Sequence, residues 1–272
     1  MSESVVLSEV DARGVASVTL NRPAVNNAYN GAVIEGLARA FAALAANAAV
    51  RVAVLRGNGK HFQAGADLGF LRKLAGKPLE EGLAFSRLTV ATVDALRHFR
   101  RPTIALVQGG CFGGGVGLVA ACDIAIASTD AVFSLSEVRW GITPAPIMGV
   151  LTRRLGPRAL GRFALSGERF DAATAHRIGL VHQVCAPGRL DDAASPVIEA
   201  LLTAAPEATA TTKALIEESL LHDGEPHFND ALAEESASRR LMPEAAEGLA
   251  SFAEKRQPRW YPGQADEPGE TP

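Results

Sequence analysis

The chain is poor in cysteine: Cys111, Cys122 and Cys185 are the only three among 272 residues, so at least one stays unpaired. None lies two residues from another, which removes the spacing of zinc and redox motifs. Each occurs in an apolar stretch and is interpreted as a small core residue. A chain of this length buries enough surface to fold without disulfides or a metal.

Neither an excess of charge nor a long apolar run is present. The net charge is −3, with Lys and Arg spread along the chain, which does not indicate a nucleic-acid-binding surface. The longest apolar runs contain Gly or charge and fall short of the roughly 20 residues that span a membrane. The first residues lack the basic and apolar segments of a signal peptide. These absences favour a cytoplasmic protein with neither nucleic-acid nor membrane partners.

Strand and helix patterns alternate over the first 190 residues. Residues 5–10 and 15–20 predict a β-hairpin with Gly14 in its turn. Asn30 is a candidate cap for a helix over residues 32–47. Further strands are predicted over residues 50–56, 103–107, 123–127 and 131–134, and further helices over residues 79–100 and from the glycines at 113–115 to 121. Successive strand-strand-helix units predict an α/β fold.

Strand patterns disappear from residue 190 onward. Helices are predicted over residues 190–204, 206–221 and 228–255. The tail at 261–272 is rich in Pro, Gly and acidic residues and is expected to be disordered. The sequence therefore divides into an α/β core (1–190), a helical region (191–260) and a tail.

A glycine-rich segment, residues 113–117, lies between a predicted strand and a predicted helix. Missing side chains let a ligand approach backbone N–H groups that the helix orients. The segment also fits the dinucleotide fingerprint G-x-G-x-x-A, but that motif normally follows the first strand of its domain, and here about a hundred residues precede it. We therefore predict no NAD binding. Tight packing of helix on strand remains an alternative explanation for the glycines.

A second turn of small residues, at 64–67, also joins a strand to a helix, with Asp67 as a candidate cap. Each of the two turns can present one backbone N–H group. Thioester enolate chemistry needs two such donors converging on one oxygen, the arrangement called an oxyanion hole.

These motifs occur in the order of the crotonase (enoyl-CoA hydratase/isomerase) family, which the sequence resembles over residues 5–258. The matching segments are Leu20-Asn-Arg-Pro with Asn27-Ala28, Phe62-x-Ala-Gly-Ala-Asp67-Leu68, Gly113-Gly-Gly115, Cys122-Asp123-Ile124, Phe133-x-x-x-Glu137-Val138 with Gly141-Ile-x-Pro144, Ala175-x-x-x-Gly179-Leu180-Val181, and Phe252-x-Glu-Lys255-Arg256. The resemblance implies a ClpP/crotonase-like spiral of ββα units. It also implies that the helical region at 191–260 assembles the chain into a homotrimer or a dimer of trimers.

The resemblance implies a role for individual residues. The backbone N–H groups of Ala66 and Gly114 correspond to the oxyanion hole, and Glu137 to a catalytic carboxylate. Residues implied to border the coenzyme A or acyl part of the substrate are Asn27, Ala64, Gly65, Asp67, Leu68, Gly113, Trp140, Phe252 and Lys255. Of these, Trp140 could equally be a core residue, and the last two reach the ligand from the C-terminal helix, often across a subunit contact.

No metal site and no separate cofactor are expected. The histidines have no ligand spacing to one another, and in this family coenzyme A is part of the substrate.

One position departs from the family pattern. Two-carboxylate hydratases carry a second Glu where this chain has Gly117. The longer strings around Gly113 and Glu137 are similar to bacterial methylglutaconyl-CoA and carboxygeranoyl-CoA hydratases, which also lack it. The resemblance implies an acyl-CoA enzyme that hydrates a 2-enoyl-CoA, with branched or carboxylated acyl chains among the candidates. An enoyl-CoA isomerase with one Glu as proton shuttle, and a CoA-binding scaffold with little catalysis, remain open alternatives.

Overall fold

The structure, a computed structural model, describes residues 4–222 and 224–263. The described residues form nine strands: β1 (Val6–Val10), β2 (Val15–Leu20), β3 (Val52–Gly57), β4 (Thr103–Val107), β5 (Gly110–Phe112), β6 (Ile124–Ser128), β7 (Val132–Ser134), β8 (Arg169–Asp171) and β9 (Gln183–Cys185). Residues 264–272, which hold most of the predicted tail, lie outside the described residues.

Ten helices accompany the strands within the same described ranges. They are α1 (Gly31–Ala46), α2 (Leu68–Ala75), α3 (Leu79–Arg97), α4 (Gly114–Ala121), α5 (Met148–Ser166), α6 (Ala172–Arg177), α7 (Leu190–Thr203), α8 (Pro206–His222), α9 (Pro226–Arg239) and α10 (Pro243–Glu254). None of these helices combines the length and the apolar character that crossing a membrane requires.

Six strands form the main sheet in the order β1-β2-β3-β4-β6-β9, and β5, β7 and β8 form a small second sheet. The predicted hairpin is present, with β1 and β2 antiparallel, while the remaining neighbours in the main sheet are parallel. Gly14 has a φ of 82°, and a Cβ there would lie 2.3 Å from the carbonyl oxygen of Ala49. The turn therefore requires glycine.

The central strands are covered on both faces. The larger core cluster packs residues of α1, α3, α4 and α5 on one face, and a second cluster packs α7 against β3, β4 and β6 on the other. Strands buried on both faces are expected to be almost entirely apolar, as β4 is. The sheet thus provides a rigid support for the loops at its edge.

The helical C-terminal region is confirmed, but the single predicted helix over residues 228–255 is wrong. It is two helices, α9 and α10, separated near Met242, which is extended with φ −77° and ψ 148°. Met242 precedes Pro243, and the ring of a proline disfavours helical backbone in the preceding residue. Pro243 marks this break in the sequence, and the prediction of one continuous helix overlooked it.

Candidate active site

A cavity of about 850 Å³ lies where the second sheet, α2, α3 and the segment at 137–147 meet. Its volume is within the range of small-molecule sites. Both small-residue turns line it, as does Glu137. The apolar side chains in its wall include Leu68, Leu71, Leu74, Phe85, Val90, Trp140, Ile142 and Ile147.

The turn at 64–67 is held in place by the backbone of Tyr29. The Tyr29 N–H donates to the Gly65 carbonyl, and the Asp67 N–H donates to the Tyr29 carbonyl, each at 2.9 Å. The N–H of Ala66 lies between these two bonds and donates to no other group among the described residues. Gly65 supplies the φ of 87° that the turn needs. One donor is therefore fixed and available at the cavity wall.

The second donor begins helix α4. The Gly113 N–H donates to the Ser134 carbonyl at 2.9 Å, which ties the turn to β7. Gly114 is the first residue of α4, so its N–H has no partner within the helix, and it donates to none of the other described residues. A helix N-terminus also favours negative charge. The two turns thus present one unpaired N–H each to the same cavity.

Both glycines of the second turn are needed for steric reasons. A Cβ on Gly113 would lie 2.8 Å from Glu137 Oε1, and one on Gly114 would lie 2.6 Å from Tyr29 Cε1. Gly113 also has a φ of 52°. The turn is therefore in close contact with the side chains of Glu137 and Tyr29.

Glu137 starts a short 3-10 turn after β7 and is half-buried. Its Oε2 atom is buried and has no hydrogen-bond partner among the described residues. Burial raises the pKa of this carboxyl above its ordinary value, because the charged form loses hydration. A carboxyl with a raised pKa is suited to exchanging protons near neutral pH.

Of the residues assigned from the sequence, eight line this cavity: Ala64, Gly65, Ala66, Leu68, Gly113, Gly114, Glu137 and Trp140. Trp140 is 61% exposed, so its interpretation as a core residue is wrong.

Asn27, assigned from the sequence to the ligand, makes structural contacts instead. The side chain is buried, and its amide nitrogen donates to the carbonyls of Asn58, His61 and Phe62 at 2.8–3.2 Å. Its Oδ1 accepts from the Arg22 N–H at 2.8 Å. Because its hydrogen-bonding atoms are all in use, Asn27 fixes the loop at 58–62 that leads to the turn at 64–67. Its side chain does not line the cavity.

Asp67 is also used structurally. Its Oδ1 accepts from the N–H groups of Gly69 and Phe70 at the start of α2, and its Oδ2 pairs with Arg22 at 3.3 Å. The bond from Phe70 and the neighbouring Arg22 guanidinium lower the pKa of Asp67. The predicted cap is confirmed, and the side chain is not part of the cavity wall.

Phe252 and Lys255 do not reach the cavity of their own chain. Phe252 is 86% exposed on α10, and Lys255 ends that helix with a φ of 54°. Helix α10 is held beside α8, where Glu244 accepts hydrogen bonds from the N–H groups at the start of α8. A role for Phe252 and Lys255 at a ligand would therefore require a second subunit.

Sequence reasoning missed Tyr29. Its ring lines the cavity, stacks near Phe85 with ring centroids 6.2 Å apart, and touches the Gly114 position. Burial, and then the nearby Glu137 charge, raise the pKa of the phenol to about 12. Its position immediately after Asn27-Ala28 and before the helix cap was a signal that could have drawn attention to it.

The structure explains what occupies the space at Gly117. A Cβ there would lie 2.3 Å from Ile147 Cγ2 and 2.7 Å from Ile147 Cβ. Gly117 is buried in α4. Glu137 is consequently the only carboxylate among the described residues that line the cavity.

Sequence spacing did not reveal one cluster of potential metal ligands. His222, Glu225 and His227 lie at the turn between α8 and α9, with ligand atoms within 4.8 Å of one another. They already contact each other, with His227 Nε2 3.1 Å from Glu225 Oε2. None of them lines the cavity.

Comparisons with known proteins agree on one family. A family model described as enoyl-CoA hydratase/isomerase matches residues 11–263. A solved enoyl-CoA hydratase from Shewanella pealeana is 37% identical with a TM-score of 0.90, and the match covers 94% of this chain and 96% of that one. A mevalonyl-coenzyme A hydratase of Aspergillus fumigatus is 32% identical over 90% of both chains. A trans-2-decenoyl-[acyl-carrier-protein] isomerase of Streptococcus mutans is 28% identical over 94% of this chain and 97% of its own length. The structural overlap confirms the fold predicted from the sequence.

Proposed function

Because the chain belongs to the enoyl-CoA hydratase/isomerase family, we propose that it hydrates a 2-enoyl-CoA to a 3-hydroxyacyl-CoA through a thioester enolate. One observation carries the proposal. Two unpaired backbone N–H groups, from Ala66 and Gly114, and one desolvated carboxylate, from Glu137, line the same cavity. Enolate formation requires both kinds of group, donors for the oxygen and a base for the proton.

The proposed reaction assigns one task to each group. The thioester oxygen binds between the N–H groups of Ala66 and Gly114. The oxygen of water forms a bond to C3, the π pair of the C2=C3 bond moves onto the thioester oxygen, and Glu137 accepts the proton of the water. Glu137 then returns the proton to C2 as the enolate collapses. Each donor of such a hole typically contributes about 3–4 kcal/mol to the transition state.

In this proposal coenzyme A enters as part of the substrate and passes along Ala64, Gly65, Leu68 and Gly113. The acyl chain occupies the apolar wall. Arg139 and Arg169 also line the cavity; Arg139 Nε donates to the Ser166 carbonyl, Arg169 lies over the Phe112 ring, and neither pairs with a carboxylate among the described residues. They make a carboxylated acyl chain a candidate substrate, alongside branched apolar chains.

The exposed apolar residues of the C-terminal helices support self-association, which we propose gives a trimer or a dimer of trimers. Phe252 and Lys255 would then contribute to a neighbouring subunit's substrate site. The near-neutral charge balance supports neither nucleic acid nor a membrane surface as a partner, and we propose that the enzyme works in the cytoplasm.

Isomerisation is the second candidate. Ile147 fills the space beside Gly117, so Glu137 has no carboxylate partner among the described cavity residues. A single carboxylate can also move a proton from C2 to C4. The similarity to a protein named as an isomerase points the same way.

A panel of acyl-CoA thioesters separates the candidates. The panel contains 2-enoyl and 3-enoyl forms, each with a straight, a branched and a carboxylated chain. Loss of the conjugated thioester absorbance in the 2-enoyl set, with a 3-hydroxyacyl product by mass spectrometry, is the expected result. Conversion of 3-enoyl to 2-enoyl forms without water addition would favour the isomerase. Tight CoA binding without any turnover would overturn the catalytic proposal and favour a scaffold.

A further inference from the structure

The Tyr29 hydroxyl is a polar group in the cavity that the reaction described above does not use. Among the described residues it forms no hydrogen bond, and Tyr29 lines the cavity. Its ring packs closely against Gly114: a Cβ atom added to that glycine would lie within 3.2 Å of ring atoms Cε1, Cδ1 and Cζ. The ring is therefore firmly placed. The hydroxyl therefore has a fixed location and an unfilled hydrogen-bonding capacity.

Glu137 faces the same space. A Cβ atom added to Gly113 would lie 2.8 Å from Glu137 Oε1. Gly113 directly precedes Gly114, the glycine against which the Tyr29 ring packs. The Glu137 charge is close enough to affect the phenol, yet the two groups are not directly hydrogen-bonded. Tyr29 and Glu137 line the same cavity, and neither side chain pairs with another described residue, so one water molecule in the cavity can bridge the phenol and the carboxylate.

The two groups have complementary hydrogen-bonding roles. With its pKa raised to about 12, the phenol keeps its proton throughout the physiological range and can act as a donor. Ionised Glu137 can only accept. A water between them would receive a hydrogen bond on its oxygen from Tyr29 and direct one of its protons to Glu137.

We propose that Tyr29 binds the water that adds to C3, so that it performs the water-orienting task for which Gly117 provides no carboxylate. In the forward direction Tyr29 donates to the water oxygen, Glu137 removes the proton, and the remaining lone pair forms the bond to C3. In reverse, the C3–O bond breaks, Glu137 returns its proton to the departing oxygen, and Tyr29 stabilises that oxygen. Tyr29 keeps its own proton throughout. This inference rests on the proposed hydratase function.

The test compares two reactions of the same enzyme in Tyr29→Phe. Hydration of a 2-enoyl-CoA needs the bound water. Exchange of the C2 proton of a saturated acyl-CoA with deuterated solvent needs only Glu137 and the oxyanion hole. We expect Tyr29→Phe to lower the kcat of hydration roughly 10- to 100-fold, the loss typical of one hydrogen bond to a reacting group. We expect C2 exchange and CoA affinity to change less than twofold.

Two variants serve as references. Tyr261→Phe is the matched control, because Tyr261 is the other tyrosine of the chain and its hydroxyl donates to Glu199. It should leave both reactions unchanged. Tyr29→Leu removes the ring as well, and should impair both reactions because Gly114 and Phe85 lose their packing partner. If Tyr29→Phe is less stable than wild type, both reactions are measured below its unfolding transition, and the ratio of hydration to exchange is compared with that of wild type at the same temperature.

The outcomes distinguish this inference from the function on which it rests. Wild-type protein that exchanges C2 protons but hydrates no enoyl-CoA would refute the hydratase proposal itself. Wild-type protein that hydrates, with Tyr29→Phe hydrating equally well, would refute the role of Tyr29 alone. An equal loss of hydration and C2 exchange in Tyr29→Phe would also refute it, because the hydroxyl would then act on Glu137 or on the fold.

Discussion

Helices α4 and α10 use their apolar residues in opposite ways. In α4, all residues from Gly115 to Ala121 are buried, and the helix begins with the Gly114 donor. In α10 only Ser251 is buried, while Leu249 is 70% and Phe252 86% exposed. Burying a large apolar side chain stabilises the folded state by about 1.5–3 kcal/mol. Because Leu249 and Phe252 are exposed, a single chain lacks this stabilisation at both residues.

Polar contacts explain how α10 keeps its position without burying that face. Glu244 accepts from two N–H groups of α8. Glu247 pairs with Arg256, which lowers the pKa of Glu247 to about 2. The residues of the proposed reaction centre come together within one chain, whereas the apolar face of α10 stays exposed, and we propose that a second subunit covers it. Each of the following changes tests one side of that division.

Glu137→Gln should have the largest effect, and only on the catalytic side. We expect kcat to fall about 10²- to 10⁴-fold, because loss of an acid/base group removes this much. Particle size, measured by light scattering, and CoA affinity, measured by calorimetry, should equal those of the wild-type protein. The exposed Glu35→Gln on α1 is the control and should behave as wild type. Near-native turnover in Glu137→Gln would show that another group exchanges the proton.

Gly117→Glu should damage the core and yield no efficient hydratase. Its side chain would collide with Ile147 and place a carboxylate in an apolar interior, which we expect to cost about 3 kcal/mol or more in the free energy of unfolding. Thermal unfolding and crotonyl-CoA hydration are the measurements.

The double variant Gly117→Glu/Ile147→Ala should recover part of the stability, because it removes the collision. Gly149→Glu is the matched control, since Gly149 has no neighbour within 4 Å of its Cβ position. A large gain in hydration from Gly117→Glu alone would contradict the packing argument.

Leu249→Asp/Phe252→Asp tests the other side of the comparison. Charging the exposed face of α10 should dissociate the assembly and weaken CoA binding about tenfold, because interface anchors of this size commonly contribute more than 1 kcal/mol each. Light scattering and CoA titration measure the two effects. Leu165→Asp, at an equally exposed leucine of α5, should change neither. Unchanged size and affinity in the double variant would mean that α10 only closes its own chain.

The smallest expected effect is on stability and concerns pH. Burial raises the pKa of Glu137, so the native state holds this proton more tightly than the unfolded chain. The resulting stabilisation is fully present below the unfolded pKa, about 4.3, and is lost as pH rises through the folded value. Glu137→Gln, which stays neutral, should therefore unfold at a slightly higher temperature than wild type at pH 8, with no advantage at pH 4. An equal advantage at both values would point to a packing effect.

Much of this arrangement could be predicted from the sequence because it depends on local backbone chemistry. Small-residue turns at strand-to-helix junctions predicted one backbone donor each, whereas the assignment of Ala66, Gly114 and Glu137 came from the ordered family motifs. The short strands β5, β8 and β9 were missed, since three residues carry almost no periodic pattern. The break at Met242 was missed although Pro243 marks it in the sequence, because the prediction joined the apolar residues on both sides into one helix.

Contacts between distant segments could not be predicted in the same way. Asn27 occupies a family position near the ligand, but only the fold shows that its amide is used by three carbonyls of a loop more than thirty residues away. Ile147 likewise explains Gly117 only when the segment before α5 is placed against α4. Such side-chain assignments depend on tertiary neighbours, which one sequence does not display.

In Tyr29 the main chain and the side chain have separate tasks. Its main-chain N–H and carbonyl fix the Ala66 turn, and any amino acid except proline can provide both bonds. Its side chain, in contrast, projects into the cavity beside Glu137. A substitution at this position that keeps an aromatic ring against Gly114 can therefore change the chemistry of the side chain while both main-chain bonds remain. Because we propose that Tyr29 orients the water, position 29 is where a substitution is expected to change the fate of the enolate, and it is a starting point for engineering new reactions on this scaffold.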